Sequence, residues 1–211
     1  MRFLEEFLEK VALERENPAT RGKAAQWLHE HPHVINQVDG DNDSPLMLAA
    51  TFGCVEGVCI LLERGANIHA TETALQHTAL HMAAGHSETG SLEILKLLIR
   101  AGADVNACRE FRDTPLMSAA SGGCTENVRT LLAHGATASN IGYEWFTALH
   151  FAARTKDGLD IARLLLLVGA DVNARTRTGL TPSMCAEQSG NIELQAMLEK
   201  LVSKRPMYER G

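Results

Sequence analysis

Three histidines at alternate positions, His29, His31 and His33, are the side chains in this sequence best suited to bind a metal ion. Imidazole nitrogens are common ligands of zinc and other transition metals. These three flank Pro32 at a broken helix end, where alternate residues rarely converge, and no thiol or carboxylate with ligand spacing accompanies them. We therefore expect no metal site, and a metal-dependent role at this cluster is kept as an alternative.

A second candidate is the acidic run Asp39-Gly40-Asp41-Asn42-Asp43, which is similar to the start of a calcium-binding loop. Such a loop needs glycine at its sixth position and glutamate at its twelfth. Here these positions hold Ser44 and Ala50. We expect the run to form a turn, with Asn42 at a position that tolerates positive φ.

The five cysteines, at positions 54, 59, 108, 124 and 185, form no Cys-x-x-Cys pair and are odd in number. This pattern favours reduced thiols inside a cell over a disulfide framework. Cys54 and Cys124 occupy equivalent places in two segments and are expected to be small buried residues. No phosphate-binding glycine-rich loop and no nucleophile elbow is present, so we expect neither enzymatic activity nor a cofactor.

Several features of the chain recur at a constant spacing. Five segments start at Ser44, Thr78, Thr114, Thr147 and Thr181, separated by 34, 36, 33 and 34 residues. Five residues after each of the first four starts stands an alanine pair, and further on an apolar run ends in Gly-Ala. Because three features repeat at one offset, the chain is predicted to be a solenoid of stacked units.

Each unit predicts two helices and a turn. A Ser or Thr hydroxyl can cap the first helix, and a proline fits its first position. The alanine pair allows a neighbouring helix to approach closely. The second helix has an apolar stripe, formed in two of the units by Leu92, Leu95, Leu98 and Ile99 and by Leu159, Ala162, Leu165 and Leu166. The glycines at 65, 102, 135 and 169 are expected to end it in the left-handed conformation.

The residues between one Gly-Ala and the next Ser or Thr are predicted to project as hairpin-like fingers. We number them finger 1 (residues 37–43), finger 2 (67–77), finger 3 (104–113), finger 4 (137–146) and finger 5 (171–180).

Thr-Pro-Leu, an alanine pair, a leucine-rich helix and then Gly-Ala-Asp-Val-Asn-Ala at 102–107 and 169–174 together resemble the ankyrin repeat family. The resemblance runs from about Val38 to Leu201. It implies an all-α ankyrin-repeat solenoid of helix–turn–helix units with projecting β-hairpin-like fingers, and a function in binding other proteins. It also implies that His81 and His150, three residues after their Thr, are bonded within the loop framework.

Asn106 and Asn173 end the Asp-Val-Asn motif in two of the units. We expect each asparagine to brace its own hairpin. The pattern around them also resembles sites at which animal ankyrin proteins are hydroxylated on asparagine, so a modification stays open as an alternative.

The two ends of the chain depart from the central pattern. Residues 1–36 carry two helical patterns, over 3–15 and 24–31, and are predicted to be a divergent N-terminal capping unit. Residues 37–201 are predicted to form five repeats, of which the last is more polar and closes the stack. Residues 202–211 are expected to be a flexible, charged C-terminal tail.

Finger 4 carries the strongest candidates for partner binding. Its residues Tyr143, Glu144, Trp145 and Phe146 include three of the ten aromatic residues of the chain. An exposed aromatic cluster is typical of a binding hot spot. The alternative is that Trp145 or Phe146 packs onto the adjacent finger. Flanking residues expected to contribute are Arg109, Phe111 and Arg112 in finger 3, and Arg175 and Arg177 in finger 5.

Further contacts are expected on the first, inner helices, whose last positions face the concave side in the ankyrin family. Phe52 and Arg154 are the candidates there. The alternative for Phe52 is that it only packs between helices. Residues 85–91 contain three more residues than the equivalent segment of the first unit, and either contact a partner or form a tolerated loop.

Charge and hydropathy restrict the class of protein. The net charge of −6 arises entirely in residues 1–100, with 8 basic and 14 acidic side chains, against 12 and 12 in residues 101–211. An acidic balance disfavours nucleic-acid binding, which is kept as an alternative through the arginine-bearing fingers. No apolar run approaches the roughly 18 residues of a membrane span, and acidic residues occupy the place of a signal peptide. We expect a cytoplasmic protein.

These features favour a non-enzymatic module that is a monomer when unbound and binds a protein partner through its fingers and concave face. We expect it to inhibit or neutralise one partner, as an immunity protein would, because no effector domain is fused to the repeats. The alternatives are a multi-partner scaffold or adaptor, and a metal-dependent or host-directed effector.

Overall fold

The computed structural model describes residues 22–86, 90–108, 112–156 and 158–203, together with residues 6, 7, 9, 10 and 13. Within these residues the chain is helical, without strands. The helices are α1 (Lys23–Glu30), α2 (Pro45–Thr51), α3 (Val55–Glu63), α4 (Ala79–Gly85), α5 (Ser91–Arg100), α6 (Pro115–Ser121), α7 (Thr125–Ala133), α8 (Ala148–Arg154), α9 (Gly158–Leu167), α10 (Pro182–Gln188) and α11 (Ile192–Ser203). None of the described helices combines the length and apolar character needed to cross a membrane.

Ten of these helices form five antiparallel pairs, from α2 and α3 to α10 and α11. The inner helices α2, α4, α6, α8 and α10 lie side by side in one layer, and the outer helices form the second layer. Among the described helices, the extensive contacts of each pair are with the pairs next to it, and the first pair also contacts α1 through α3. This arrangement is the all-α solenoid that the periodicity predicts.

The inner helices begin where the sequence predicts. The hydroxyl oxygens of Ser44, Thr114 and Thr181 each accept a hydrogen bond from the backbone N–H three residues later, at 3.3 Å. At Thr78 and Thr147 the first turn is completed instead by a histidine. These caps satisfy N–H groups that have no partner within the helix.

Alanine pairs and aliphatic stripes fill the space between the two layers. The alanines at 49/50, 83/84, 119/120 and 152/153 are fully buried. Half of the stripe expected on the outer helices is fully buried, namely Leu95 and Leu98 in α5 and Ala162 and Leu165 in α9. The other expected residues, Leu92, Ile99, Leu159 and Leu166, are only partly buried, and Ile94 and Ile161 are fully buried in addition.

The fingers are hydrogen-bonded turns with a shared backbone feature. Gly179 in finger 5 has a positive φ of 84°, and so do the residues at the equivalent positions, Asn42, Gln76, Arg112 and Trp145, with φ between 56° and 65°. Neighbouring fingers are also joined, since the Thr73 N–H donates to the Asp41 carbonyl at 2.8 Å. The fingers therefore form a continuous row along one edge of the stack.

Asn106 does not brace its own hairpin, contrary to expectation. Its side chain donates to the Gly135 carbonyl at 3.0 Å and accepts from the Thr137 N–H at 2.8 Å, both in the following unit. Asn36 bonds to Gly65 and Asn67 in the same way. These asparagines join successive units because each lies at a turn directly beside the end of the next outer helix.

At the N-terminal end, Phe7 is buried against Trp27, with ring centroids 5.9 Å apart. The helix expected over 24–31 is α1. The rest of the helix expected over 3–15 lies largely outside the described residues, as do residues 204–211 of the expected tail and residues 87–89 of the longer segment at 85–91.

Candidate partner-binding surface

Two of the three aromatic side chains of finger 4 are exposed. Tyr143 and Trp145 are 56% and 57% exposed, on the tight turn Tyr143–Trp145. Glu144 and Trp145 both hold positive φ, 52° and 63°. This tight turn leaves more than half of each side chain exposed.

Finger 4 is held from both sides by its neighbours. The carboxylate of Asp113 in finger 3 accepts from the Tyr143 N–H at 3.2 Å. The Glu144 carbonyl accepts from the Arg177 N–H of finger 5 at 2.8 Å, and the Glu144 carboxylate forms an ion pair with the Arg177 guanidinium. The hydrogen bond between these two side chains, and then the negative charge of Glu144, raise the pKa of Arg177. Glu144 and Arg177 thus bind each other through both backbone and side chain. This pairing fixes the turn that carries the two exposed aromatic residues.

The third aromatic residue, Phe146, turns the other way. It is half-buried on the inner helix α8, with its ring centroid 5.4 Å from that of Phe151 and 5.6 Å from that of His150. The guanidinium carbon of Arg154 lies over the same ring at 5.7 Å from its centroid, within the range of a cation–π interaction. Phe146 therefore links finger 4 to the concave face, whereas the packing alternative placed Trp145 or Phe146 on the adjacent finger.

The concave face contains a cleft of about 300 Å³ between the inner helices α4, α6 and α8. It is lined by Met82, Gly85, Met117, Ser118, Ser121, Gly122 and Phe151, together with His77, His81, His86 and Asp113. A pocket of this size and apolar character can accept one large side chain.

The two histidines of the inner helices, His81 and His150, have structural roles. His81 Nδ1 accepts from the Thr78 N–H at 3.1 Å, and its Nε2–H donates to the Asp113 carbonyl at 3.2 Å, so it joins two successive units. Burial, with the neighbouring His77, lowers the pKa of His81 to about 4. His150 makes the equivalent bonds to Thr147 and to the Leu180 carbonyl, and burial lowers its pKa as well. The loop-framework role implied for both histidines is confirmed.

Finger 2 is organised by a buried acid that the sequence alone did not single out. Glu72 accepts hydrogen bonds from the backbone N–H groups of Leu75, His77 and Ala74. Burial by itself would raise the pKa of Glu72, but these three bonds outweigh it and lower the pKa. A single glutamate in a polar finger does not reveal from the sequence that it will accept hydrogen bonds from the backbone of that finger.

The remaining candidates have different surroundings. Phe52 follows α2 and is half-buried against the core, as its packing alternative proposed. Arg112 is exposed at the tip of finger 3. Arg109 and Phe111 lie outside the described residues. The positions of Met82, Met117 and Phe151 around one cleft were not anticipated, although Met82 and Phe151 share an offset of four residues from their Thr starts, a signal that could have indicated part of it.

The side chains of the two candidate ion-binding sites, the histidine cluster and the acidic run of finger 1, interact with other groups of the protein. His29 is bonded to Arg64 at 2.6 Å, and His31 stacks on Trp27 with ring centroids 4.3 Å apart. Among the described residues no three His, Cys, Asp or Glu side chains are grouped to hold a metal ion. In finger 1 the Asp39 carboxylate accepts from the backbone of Asp41 and Asp43, which makes this run the expected turn. Cys54 and Cys124 are buried, as expected.

Comparison with known proteins identifies relatives along most of the chain. A family profile described as ankyrin repeats (3 copies) matches residues 17–107 and again residues 80–176. Ankyrin repeat protein nuc-2 of Neurospora crassa is 31% identical over 191 residues, which cover 87% of this chain and 17% of that protein. Ankyrin repeat and KH domain-containing protein mask-1 of Caenorhabditis elegans is 32% identical, over 81% of this chain and 7% of the relative.

Human ankyrin repeat and SOCS box protein 6 is 31% identical over 66% of this chain and 34% of its own length. The chain thus spans about a third or less of the length of these three relatives. Repeats of this kind generally mediate protein–protein interaction. The matched profile, the relatives and the observed stack of helix pairs together show that the chain belongs to the ankyrin repeat family.

Proposed function

We propose that this chain binds one specific protein partner through finger 4 and the adjoining concave face, and that its binding inhibits or neutralises that partner. The observation that carries the proposal is the exposure of Tyr143 and Trp145 on a turn held by Asp113 on one side and Arg177 on the other. Large aromatic side chains on a fixed backbone lose little conformational entropy on binding, and they dominate many interfaces.

The proposal includes the way the protein works in the cell. The chain is a non-enzymatic cytoplasmic module, monomeric when unbound, in which residues 37–201 form the repeats, residues 1–36 the cap and residues 202–211 the tail. It acts by covering a surface of the partner. A scaffold would instead bind two proteins at once and leave the activity of each unchanged.

The test of the binding surface uses backbone-matched variants. Trp145→Gly combined with Tyr143→Ala removes both exposed rings, and glycine suits the positive φ at position 145. Gln76→Gly makes the same backbone change at the equivalent position of finger 2 and serves as the control. We expect wild type and Gln76→Gly to recover the same cross-linked partner from cells, and the double variant to lose it while remaining folded by circular dichroism. Equal recovery by all three would refute the hot-spot assignment.

The inhibitory role is tested with the recovered partner in purified form. Its activity should fall as the chain is titrated to an equimolar ratio, and the double variant should have no effect. Undiminished activity together with simultaneous binding of a second protein would contradict inhibition and indicate a scaffold.

A further inference from the structure

The inner helices that line the concave face are almost free of charge. The fifth inner helix, α10, carries the exposed Glu187, but among the residues of α2, α4, α6 and α8 the single Lys, Arg, Asp or Glu is Arg154, the last residue of α8. The histidines of these helices, His81 and His150, are buried and bonded within the fold. A partner segment lying across these helices therefore meets one side chain with a full charge.

Arg154 is positioned and lacks an acidic partner. Its side chain is exposed and lies over the Phe146 ring, and none of the described carboxylates forms an ion pair with it. A guanidinium above an aromatic ring keeps its N–H donors available at the edge, in a fork that matches a carboxylate. This contrasts with Arg177 nearby, which is already paired with Glu144.

The apolar cleft lies beside this arginine. Phe151, which lines the cleft, is one helical turn before Arg154 and so lies on the same face of α8. Gly85, Ser118 and Gly122 also line the cleft, and none of them carries a large side chain. The concave face thus combines a cleft that can accept one large apolar side chain with the positively charged Arg154, one helical turn from the cleft residue Phe151.

We infer that the cleft and Arg154 together recognise an extended partner segment, in which a large apolar side chain enters the cleft and the carboxylate of a nearby Asp or Glu pairs with Arg154. This inference rests on the proposed function, since it specifies what the concave part of that surface binds. Neighbouring helices are spaced about 8–10 Å apart, so roughly three extended residues separate the apolar residue from the acid.

A polyanion such as nucleic acid fits this surface less well. The cleft is apolar, Asp113 adds a carboxylate at its margin, and the chain as a whole carries a net charge of −6. These features favour one local carboxylate beside an apolar group over a row of phosphates.

The test is a selection of peptides with the full chain. A library of random linear peptides, joined to the carrier through their C-termini, offers only side-chain carboxylates. Wild type should enrich peptides that combine a large apolar residue with a nearby Asp or Glu. Arg154→Gln should weaken the binding of a selected peptide about tenfold, and Arg154→Lys by less, because lysine keeps the charge without the fork. Replacing the acidic residue of the peptide by its amide should abolish the difference between wild type and Arg154→Gln.

A second variant tests the cleft. Ser121 is exposed at the margin of the cleft, so Ser121→Phe fills the pocket without disturbing the core and should weaken every selected peptide. Thermal unfolding monitors the fold of each variant. A library that yields no acidic preference, no dependence on Arg154 or no binder at all would overturn the inference, and so would preferential binding of a duplex oligonucleotide.

These experiments distinguish a failure of this inference from a failure of the proposed function. If loss of Tyr143 and Trp145 abolishes partner binding while Arg154→Gln leaves peptide and partner binding unchanged, the binding function holds and this inference fails. If the peptides depend on Arg154 but the partner is recovered equally without the two rings, the inference holds and the hot-spot assignment fails.

Discussion

At the scale of single residues, five described residues other than glycine hold the left-handed backbone conformation, all of them in the fingers. Four of them, Asn42, Gln76, Arg112 and Trp145, stand where finger 5 has Gly179. A non-glycine residue in this conformation carries a backbone strain of about 1–2 kcal/mol. Trp145 combines such strain with an exposed aromatic ring, a combination that is typical of residues retained for binding.

We predict that Gln76→Gly stabilises the protein. Glycine removes the strain at φ 56° but has more freedom in the unfolded chain, which offsets roughly 0.4–1 kcal/mol. The net gain in the free energy of unfolding should be about 0.5–1 kcal/mol, measured by urea denaturation. Gln76→Ala keeps the strain and should give no such gain. Equal stability of the glycine and alanine variants would show that the conformation is unstrained.

We predict that stability falls between pH 7 and pH 4, in part through His81. The folded chain protonates His81 only near pKa 4, whereas an ordinary histidine protonates near 6.5. The stabilisation is therefore fully present above pH 6.5 and is lost as the pH falls through 4, by about 3 kcal/mol. The groups facing His81 are His77, stacked at 4.8 Å, together with Glu72 and Asp113.

The control for this prediction is His81→Met, because methionine stands at the same position of α2, α6 and α10. Urea denaturation at a series of pH values should show a shallower fall in the variant than in wild type. An identical slope in the two proteins would mean that other groups carry the acid sensitivity.

At the scale of elements, the connection between successive helix pairs depends on a few polar side chains at turns. Asn106 makes two hydrogen bonds to the following unit, whereas the side chain of Asn173, at the equivalent position of the next Asp-Val-Asn motif, makes none to the described residues. The two asparagines share a motif but differ in what the following unit places beside them. They form a matched pair.

We predict that Asn106→Ala lowers the free energy of unfolding by about 1–3 kcal/mol, because it removes two intramolecular hydrogen bonds. Asn173→Ala should change it by less than about 0.5 kcal/mol. Chemical denaturation of the two variants beside wild type measures both values. A similar loss in both would indicate that the asparagine acts within its own turn, as the sequence first suggested.

At the scale of the whole molecule, charge is distributed unevenly along the stack. Burial and then the charges of Asp39, Glu72 and Asp41 raise the pKa of Asp43, which reflects the density of acids in fingers 1 and 2. The opposite end carries Arg154 and Arg175, both exposed. Such a surface orients an approaching partner and makes the association rate sensitive to salt.

The stack is also held together by interfaces between nearest neighbours only, so a change at one interface should affect the units on both sides of it. At Gly122, a Cβ atom would lie 2.1 Å from the carbonyl oxygen of Gly85 in the preceding inner helix. We predict that Gly122→Ala destabilises the protein by about 1–3 kcal/mol. Amide hydrogen exchange should increase first in α4 and α6.

Gly40→Ala is the control for this prediction, since nothing lies within 4 Å of the added Cβ there. Its stability and exchange pattern should match those of wild type. Uniform faster exchange along the whole chain of Gly122→Ala would contradict the nearest-neighbour description and indicate a single cooperative unit.

The sequence determines the features that depend on contacts within one repeat. The starts of the inner helices, the alanine pairs, the glycines that end the outer helices and the turn at Asn42 could all be predicted, because capping, periodicity and backbone preference act over a few residues. The family and its general role in protein binding follow from the same local pattern.

The tertiary structure decided the features that depend on the neighbouring unit, about thirty residues away in the chain. It assigned Asn106 to the following unit, added Ile94 and Ile161 to the buried stripes of α5 and α9, and placed Met82, Met117 and Phe151 around one cleft. It also divided finger 4, with Tyr143 and Trp145 outward and Phe146 inward beneath Arg154. The physical reason is that the neighbours of each side chain depend on how closely two units pack together. That packing distance exists only once the units are stacked.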